Sequence, residues 1–291
     1  MSIETHSPIP EIPTLVFKDH PFSFIKDRRN GTKIFGADNG ESFLRFGPAK
    51  EIEKELTFHK HLIEQGYPVP SILEEGEWHV GEKYYLETSA GDEKFGIIFK
   101  NDVADRGAIS DETFNDFIGI IQRYIDAQQR SEVIDQDWES VFIGTHFDRI
   151  IQELPDQENR IMAVWQKVKS DLANVPFVLC HGDFNAHNIF PGGVIDFETA
   201  FNGPKGYDVV SAAASIEWFP AEGDFEMTAR HSFTAEQKQS LLELQVESTK
   251  YFNALFMLRS VWAVVGMHKF PKIQAWRYAK FQKLMDTYLA R

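Results

Sequence analysis

The run His181-Gly182-Asp183-Phe184-Asn185-Ala186-His187-Asn188-Ile189-Phe190, followed by Pro191-Gly192-Gly193 and Val194-Ile195-Asp196-Phe197-Glu198, constrains this chain more than any other segment. The apolar stretch Val175-Pro176-Phe177-Val178-Leu179-Cys180 leads into it as a strand, and Pro191-Gly192-Gly193 marks a tight turn between two short apolar pieces. A strand, a polar loop and a turn must follow one another, with Asp183 and Asn188 on the loop and Asp196 at the end of an apolar strand. Taken alone, an Asp in such places is an ordinary cap or turn residue. Taken together, two aspartates and an asparagine in this order supply the groups that phosphoryl transfer from a nucleotide needs. One carboxylate accepts the proton of the attacking hydroxyl, while an amide and a second carboxylate hold the magnesium that neutralises the phosphates.

The protein-kinase catalytic loop is written H-R-D-x-x-x-x-N and is followed by D-F-G. His181-Gly182-Asp183, Asn188 and Asp196-Phe197-Glu198 keep that order and internal spacing, with Gly for Arg and Glu for Gly. These residues resemble the aminoglycoside phosphotransferase and choline kinase-like family, whose signature reads H-G-D-x-x-x-x-N followed by I-D-[FWY]-[ED]. The resemblance implies an α+β, two-lobed protein kinase-like fold. Residues 1–90 would form a nucleotide-binding lobe, a small antiparallel sheet plus a helix. Residues 91–291 would form a larger, mainly helical lobe for catalysis and acceptor binding. It also implies Mg2+ as cofactor, ATP or GTP as phosphate donor, and a small-molecule hydroxyl (aminoglycoside-, amino alcohol- or sugar-like) as acceptor. Asp183 would be the catalytic base, Asn188 and Asp196 the metal ligands, and His181 a structural member of the loop.

The first third of the chain agrees with that order. Lys33-Ile34-Phe35 and Glu41-Ser42-Phe43-Leu44-Arg45-Phe46 read as strands joined by Asp38-Asn39-Gly40, whose Asn-Gly is a strong hairpin signal. Ala49 to Gln65 reads as a helix with Ile52, Leu56, His59 and Leu62 on one face, ended by Gly66. Two more strands follow, Ile72–Glu77 and Tyr84–Thr88. In a kinase the third strand carries a cation that meets the nucleotide phosphates and a helix Glu. Arg45 takes that position here, with Glu55 as its best partner and Glu51 second. Glu55 and Gly66-Tyr67-Pro68-Val69-Pro70 resemble the family's E-x-x-x-L-x-x-L and G-x-P-V-P segments. Arg replaces the Lys of protein kinases, and its charged fork suits phosphate oxygens. The turn Asp27-Arg28-Arg29-Asn30-Gly31-Thr32-Lys33 is a thin match to a phosphate-covering loop, with a single glycine. Glu87-Thr88-Ser89-Ala90-Gly91 resembles the family's linker between lobes. There the backbone of Glu87 and Ser89 would meet the purine and side-chain identity would matter little. The first dozen residues, with Pro8 and Pro10, read as an extended lead-in.

The remainder reads as helical. Asp111 to Gln129 is an amphipathic helix capped by Ser110, residues 144–171 hold one or two more, and Leu241–Leu289 forms an aromatic helix pair. Phe201-Asn202-Gly203-Pro204-Lys205-Gly206-Tyr207-Asp208 resembles the family's G-D-P-x-x-D-L without its first Asp. Asp208 would support the catalytic loop. Acceptor-binding candidates are Glu198, Glu217, Trp218 and the acidic run Glu222–Glu226, which would suit an ammonium group. Arg259 and His268 would equally suit an anion.

Composition excludes several classes. The net charge of −14 argues against a nucleic-acid polymer as partner and is compatible with a cationic acceptor. A single cysteine, Cys180, rules out an internal disulfide framework and fits a reducing, cytoplasmic compartment. Nothing in the chain is apolar for long enough to span a bilayer, so no membrane partner is expected. Two alternatives compete with the kinase reading. One is a catalytically silent kinase-like protein that binds a nucleotide or metabolite. The other is a metal-dependent hydrolase using His181, Asp183 and His187 as ligands; the remaining histidines are too scattered to supply a second cluster.

Overall fold

The computed structural model describes residues 14–28, 30–131 and 134–291. The proline-bearing lead-in and Arg29 of the basic turn lie outside them. The chain divides into two compact units, Met1–Asp92 and Glu93–Arg291.

The first unit is a curled antiparallel sheet with one helix. Its elements are β1 (Thr14–Phe17), β2 (His20–Asp27), β3 (Lys33–Ala37), β4 (Ser42–Pro48), α1 (Ala49–Glu64), β5 (Ile72–His79) and β6 (Glu82–Thr88), with strand order β1-β2-β3-β4-β6-β5. The Asn39-Gly40 turn sets the β3–β4 register, in which Lys33 faces Phe46 and Gly36 faces Phe43. Gly66, at φ 78°, stops α1 as the sequence predicts. Side-chain alternation along each strand divides the apolar residues between the two faces. Phe22, Phe35, Leu44 and Tyr84 form one cluster, extended by a near-parallel stack of Phe46 on Trp78 at 4.6 Å. Tyr85, one residue further along β6, points the opposite way and packs under Ile52 and Leu56 of α1. Arg45 shares that second face with Tyr85, which it faces across the β4–β6 ladder.

The second unit is mainly helical. It comprises α2 (Phe95–Arg106), α3 (Asp111–Arg130), α4 (Trp138–Gly144), α5 (Phe147–Glu153), α6 (Glu158–Asp171), β7 (Phe177–Cys180), β8 (Ile189–Phe190), β9 (Gly193–Val194), β10 (Phe201–Pro204), α7 (Tyr207–Ala214), α8 (Ala235–Glu243), α9 (Thr249–Val264) and α10 (Pro271–Leu289). Ser110 caps α3 by accepting from the Thr113 amide. The aromatic C-terminal stretch is the expected pair, α9 and α10, entered from the last turn of α8; Ser248 caps the start of α9 and Pro271 opens α10. Its apolar faces bury Leu255, Leu258, Val261, Val264 and Phe281 against Trp165, Val168 and Tyr207, one large core. Each such side chain contributes about 2 kcal/mol by leaving water. Cys180 is wholly buried in that core, and burial together with Asp208 raises its thiol pKa well above the ordinary value. Among the described residues, no helix is long and apolar enough to cross a membrane.

Candidate active site

Two short antiparallel ladders position the loop 181–188. β7 pairs with β10, Cys180 facing Phe201, and β8 pairs with β9, Ile189 facing Val194. The Ile195 amide donates to the Asn188 carbonyl at 3.0 Å, so Asn188 and Ile195 close the hairpin and Asp196 is the next residue out. Asp196 holds a left-handed backbone, φ 67° and ψ 54°, a conformation that Asp tolerates better than most residues. Turn chemistry encoded by Pro191-Gly192-Gly193 thus brings Asn188 and Asp196 to the same end of a two-strand ribbon.

Asp183 lies at the middle of the loop with its side chain about a quarter exposed. Asn185 donates its amide to Asp183 Oδ1 at 2.8 Å and to the Asp183 carbonyl at 3.0 Å. Asn188 Nδ2 donates to the Asp183 carbonyl at 2.9 Å and to Oδ2 at 3.2 Å. A carbonyl oxygen only accepts, so the Asn188 amide orientation is fixed and its Oδ1 is turned away from Asp183. The site therefore offers an amide oxygen and the Asp196 carboxylate at one hairpin end. Hard oxygen donors of this kind suit Mg2+, which takes one or two carboxylates and completes its shell with water and substrate phosphates. The residues fit that ion.

Asp208, 1 % exposed, staples the loop from below. Its Oδ2 accepts from the His181 amide at 3.0 Å, from Tyr124 Oη at 2.8 Å and from Gln128 Nε2 at 3.2 Å; its Oδ1 accepts from the Gly182 amide at 3.4 Å. Burial raises the Asp208 pKa, and His181 with these donors opposes that shift. Tyr124 and Gln128 come from α3 and were not foreseen from the sequence. His181 is buried, and its Nε2 lies 2.8 Å from the Ile195 carbonyl. Gly182 sits at φ 87°, where a Cβ would fall 2.2 Å from the Thr199 carbonyl oxygen, so only glycine fits. No cluster of three or more His, Cys, Asp or Glu side chains among the described residues could hold a metal, which removes the sequence basis for a histidine-ligated hydrolase.

In the first unit the expected Arg45–Glu55 pair gives way to another. Arg45 Nε donates to Glu87 Oε1 at 2.6 Å, and His59 Nδ1 approaches Glu87 Oε2 at 3.4 Å. The reason is register: Glu87 faces Phe43, which puts it diagonally across the ladder from Arg45 on the same face. Burial opposes the Arg45 charge, but Glu87 and Tyr85 more than restore it and raise its pKa. Glu55 instead accepts from Asn30 Nδ2 and Thr32 Oγ1, both at 3.2 Å, with Arg28 Nη1 at 3.7 Å, and so ties the basic turn to α1. Glu87, expected to act through its backbone alone, carries an internal ion pair. Ser89 spends its amide on the Glu41 carbonyl at 2.8 Å. Glu87→Gln removes the counter-charge of a buried guanidinium and is expected to cost about 2 kcal/mol, measured by urea unfolding. An unchanged midpoint would show that the pair is not structural.

A cavity of about 260 Å³ opens beside Asp183 within the second unit, lined in part by Trp218, His231, Arg259, Trp262 and Arg277. Arg259 Nε donates to Ser211 Oγ at 2.9 Å, its Nη2 lies 3.7 Å from Asp183 Oδ1, and its plane stacks on Trp262 at 4.3 Å. Of the proposed acceptor groups, Trp218 reaches this wall as a buried core residue. Glu217 does not: its carboxylate pairs with Lys238. Glu198 is solvent-exposed. The acidic run is a helix cap, Glu226 accepting from the amides of Lys272 and Ile273 while Asp224 pairs with Lys272. His268 is exposed and lies outside the cavity wall.

Solved structures with this architecture are aminoglycoside phosphotransferases, which have a protein kinase-like fold. A thermostable mutant of APH(4)-Ia in apo form matches at 12 % identity with a TM-score of 0.55, over 91 % of this chain and 94 % of that one. Its ternary complex with ADP and hygromycin B matches at 12 % identity and a TM-score of 0.54, over 91 % and 93 %. The GDP complex of wild-type aminoglycoside 2'-phosphotransferase-IIIa matches at 12 % identity and a TM-score of 0.55, over 97 % and 94 %. No curated protein sequence matches the chain. The family described as "Phosphotransferase enzyme family" matches residues 23–233, most of the chain and all of the loop and hairpin. The chain belongs to that phosphotransferase family.

Proposed function

We propose that this protein transfers the terminal phosphoryl group of ATP or GTP to a hydroxyl of a small molecule, with Mg2+ as cofactor. The observation that carries the proposal is the convergence of Asp183, Asn188 and Asp196 on one loop and hairpin in a member of a phosphotransferase family. Asp183, its carboxylate held by Asn185 and Asn188, would accept the proton of the acceptor hydroxyl. Asn188 and Asp196 would hold the metal, which offsets the charge of the phosphates. Arg45 is the cation offered to phosphate oxygens in the first unit, its fork fixed by Glu87. Asp208 and His181 would position the loop, Asp208 through the His181 amide and His181 through the Ile195 carbonyl. Relatives crystallised with ADP or GDP support a nucleotide as donor.

The test is nucleoside diphosphate release from ATP and from GTP, with and without Mg2+, across a panel of aminoglycosides, amino alcohols, sugars and hydroxy acids. Release stimulated by one acceptor class and abolished by chelation is the expected result. Nucleotide hydrolysis that no hydroxyl compound changes would sink the proposal.

A further inference from the structure

The charge in the wall of the cavity beside Asp183 runs opposite to that of the chain. Two arginines stand in it, Arg259 and Arg277, 4 % and 5 % exposed, while Asp183 is the single carboxylate among the described residues of the wall. Arg277 donates from Nε to the Trp218 carbonyl and from Nη1 to the Ala263 carbonyl, each at 2.7 Å, and stacks on Phe219 at 4.6 Å. Those carbonyls, one of them near the C-terminus of α9, offset part of its charge. Among the described residues no carboxylate does: burial and Arg259 pull its pKa down to about 10, which still leaves it cationic at neutral pH. His231, pushed down to about 4 by burial and His187, is neutral and adds no positive charge to the wall at neutral pH.

The hydrogen-bond inventory of the wall has the same sign. Arg259 Nη1, Trp218 Nε1 and Trp262 Nε1 are buried and have no hydrogen-bond partner among the described residues. All three are donors that cannot accept. A buried donor left without an acceptor is destabilising, and with Arg259 beside Asp183 and Arg277 meeting only carbonyls the wall keeps a positive charge without a carboxylate partner. The missing component is a group rich in acceptor oxygens and negatively charged. Arg259 lies over Trp262, spends Nε on Ser211 and places Nη2 3.7 Å from Asp183, which leaves Nη1 as its unpaired donor among the described residues; a planar guanidinium is the group that recognises carboxylates and phosphates. At about 260 Å³ the cavity lies below the range of about 300–1,000 Å³ that drug-sized ligands occupy.

We propose that the acceptor is a small hydroxylated anion, its carboxylate or phosphate seated on Arg259 and Arg277 and its hydroxyl turned toward Asp183. This rests on the phosphotransferase reading above and narrows its substrate class away from polycationic aminoglycosides, which would meet two buried arginines.

Four probes sharing one diol scaffold test it: glycerate, glycerol 3-phosphate, glycerol and 3-amino-1,2-propanediol. Binding to the full chain is followed through tryptophan fluorescence, since Trp218 and Trp262 stand in the wall. One or both anions should bind at least about tenfold more tightly than glycerol, which one charge-assisted hydrogen bond is enough to give. The amine should bind most weakly. The tighter of the two anions distinguishes a carboxylate seat from a phosphate seat. Arg277→Gln, checked for fold by circular dichroism, should remove about tenfold or more of the anion affinity. Should that variant unfold, the four-probe comparison on the wild type decides alone. No saturable binding of either anion, or tightest binding of the amine, overturns the proposal. Nucleotide turnover is recorded alongside. Anion binding without acceptor-stimulated release supports the seat and breaks the kinase reading, whereas transfer to the amine alone supports the kinase and breaks the seat.

Discussion

Asp183→Asn lowers the rate of phosphoryl transfer by about 10²–10⁴-fold, the range a positioned general base supplies, while nucleotide binding and folding stay intact. The separation follows from what Asp183 touches. Its carboxylate is about a quarter exposed and is held by two side-chain amides, Asn185 and Asn188, with the buried Arg259 at 3.7 Å. An Asn of the same shape keeps one acceptor oxygen, turns its NH2 toward Asn185 or Asn188 at a position where water can take over the lost contact, and cannot take a proton. Steady-state kinetics with saturating nucleotide, together with nucleotide titration of both proteins, measures the two halves. Equal rates for variant and wild type would remove Asp183 from the chemistry, and a lost nucleotide affinity would move its role to binding.

Asp208→Asn is expected to act on stability first and on rate second. Asp208 accepts from two main-chain amides and two side chains of α3, all buried. An amide in its place must turn an NH2 toward at least one of those donors, so one contact becomes donor against donor. The expected cost is about 3 kcal/mol, or a fall in melting temperature of about 6–12 °C for a domain of this size. The same change frees the amides of His181 and Gly182, the residues immediately before Asp183, and loosens the loop. Thermal unfolding followed by circular dichroism checks it. A variant as stable as the wild type would mean that the loop is fixed by the ladder between β7 and β10 and does not need the carboxylate.

The contrast between these two residues marks what the sequence makes legible. The loop and hairpin are local: Asp183, Asn188 and Asp196 are gathered by a turn that Pro191-Gly192-Gly193 announces, so spacing alone predicts their proximity. The helix over Asp111–Gln129 and the end of α1 at Gly66 are legible for the same reason, since caps and glycines act over one turn. Long-range partners are not. Tyr124 and Gln128 reach Asp208 from α3, and Glu87 reaches Arg45 through strand register, which nothing in the local pattern fixes. Glu55 was the reasonable helix partner by analogy, yet the diagonal neighbour on the sheet is nearer and better buried. The strand β1 and the helix α2 are missed because neither opens with a side-chain cap or a hairpin dipeptide, and Lys94 makes no cap hydrogen bond.

Net charge does not say which charges line the cavity. The chain carries −14, but the acids that suggested a cationic acceptor are spent elsewhere, Glu217 on Lys238 and Glu226 on the start of α10. Arg259 and Arg277 are buried in the wall beside Asp183, where composition cannot place them. Which charges face the reacting group is decided by helix packing: α9 brings Arg259 against Ser211 of α7, and α10 brings Arg277 to the carbonyl of Ala263.

The central claim is that a phosphoryl group moves from nucleotide to an acceptor hydroxyl under the control of Asp183. Its most direct measurement follows a label in the terminal phosphate of ATP or GTP into product, for the wild type and Asp183→Asn, with the acceptor that stimulates release. The account predicts one labelled phosphate monoester of the acceptor for each nucleoside diphosphate formed by the wild type, and loss of that product in the variant. Label recovered only as inorganic phosphate, or transferred equally well by Asp183→Asn, would contradict it.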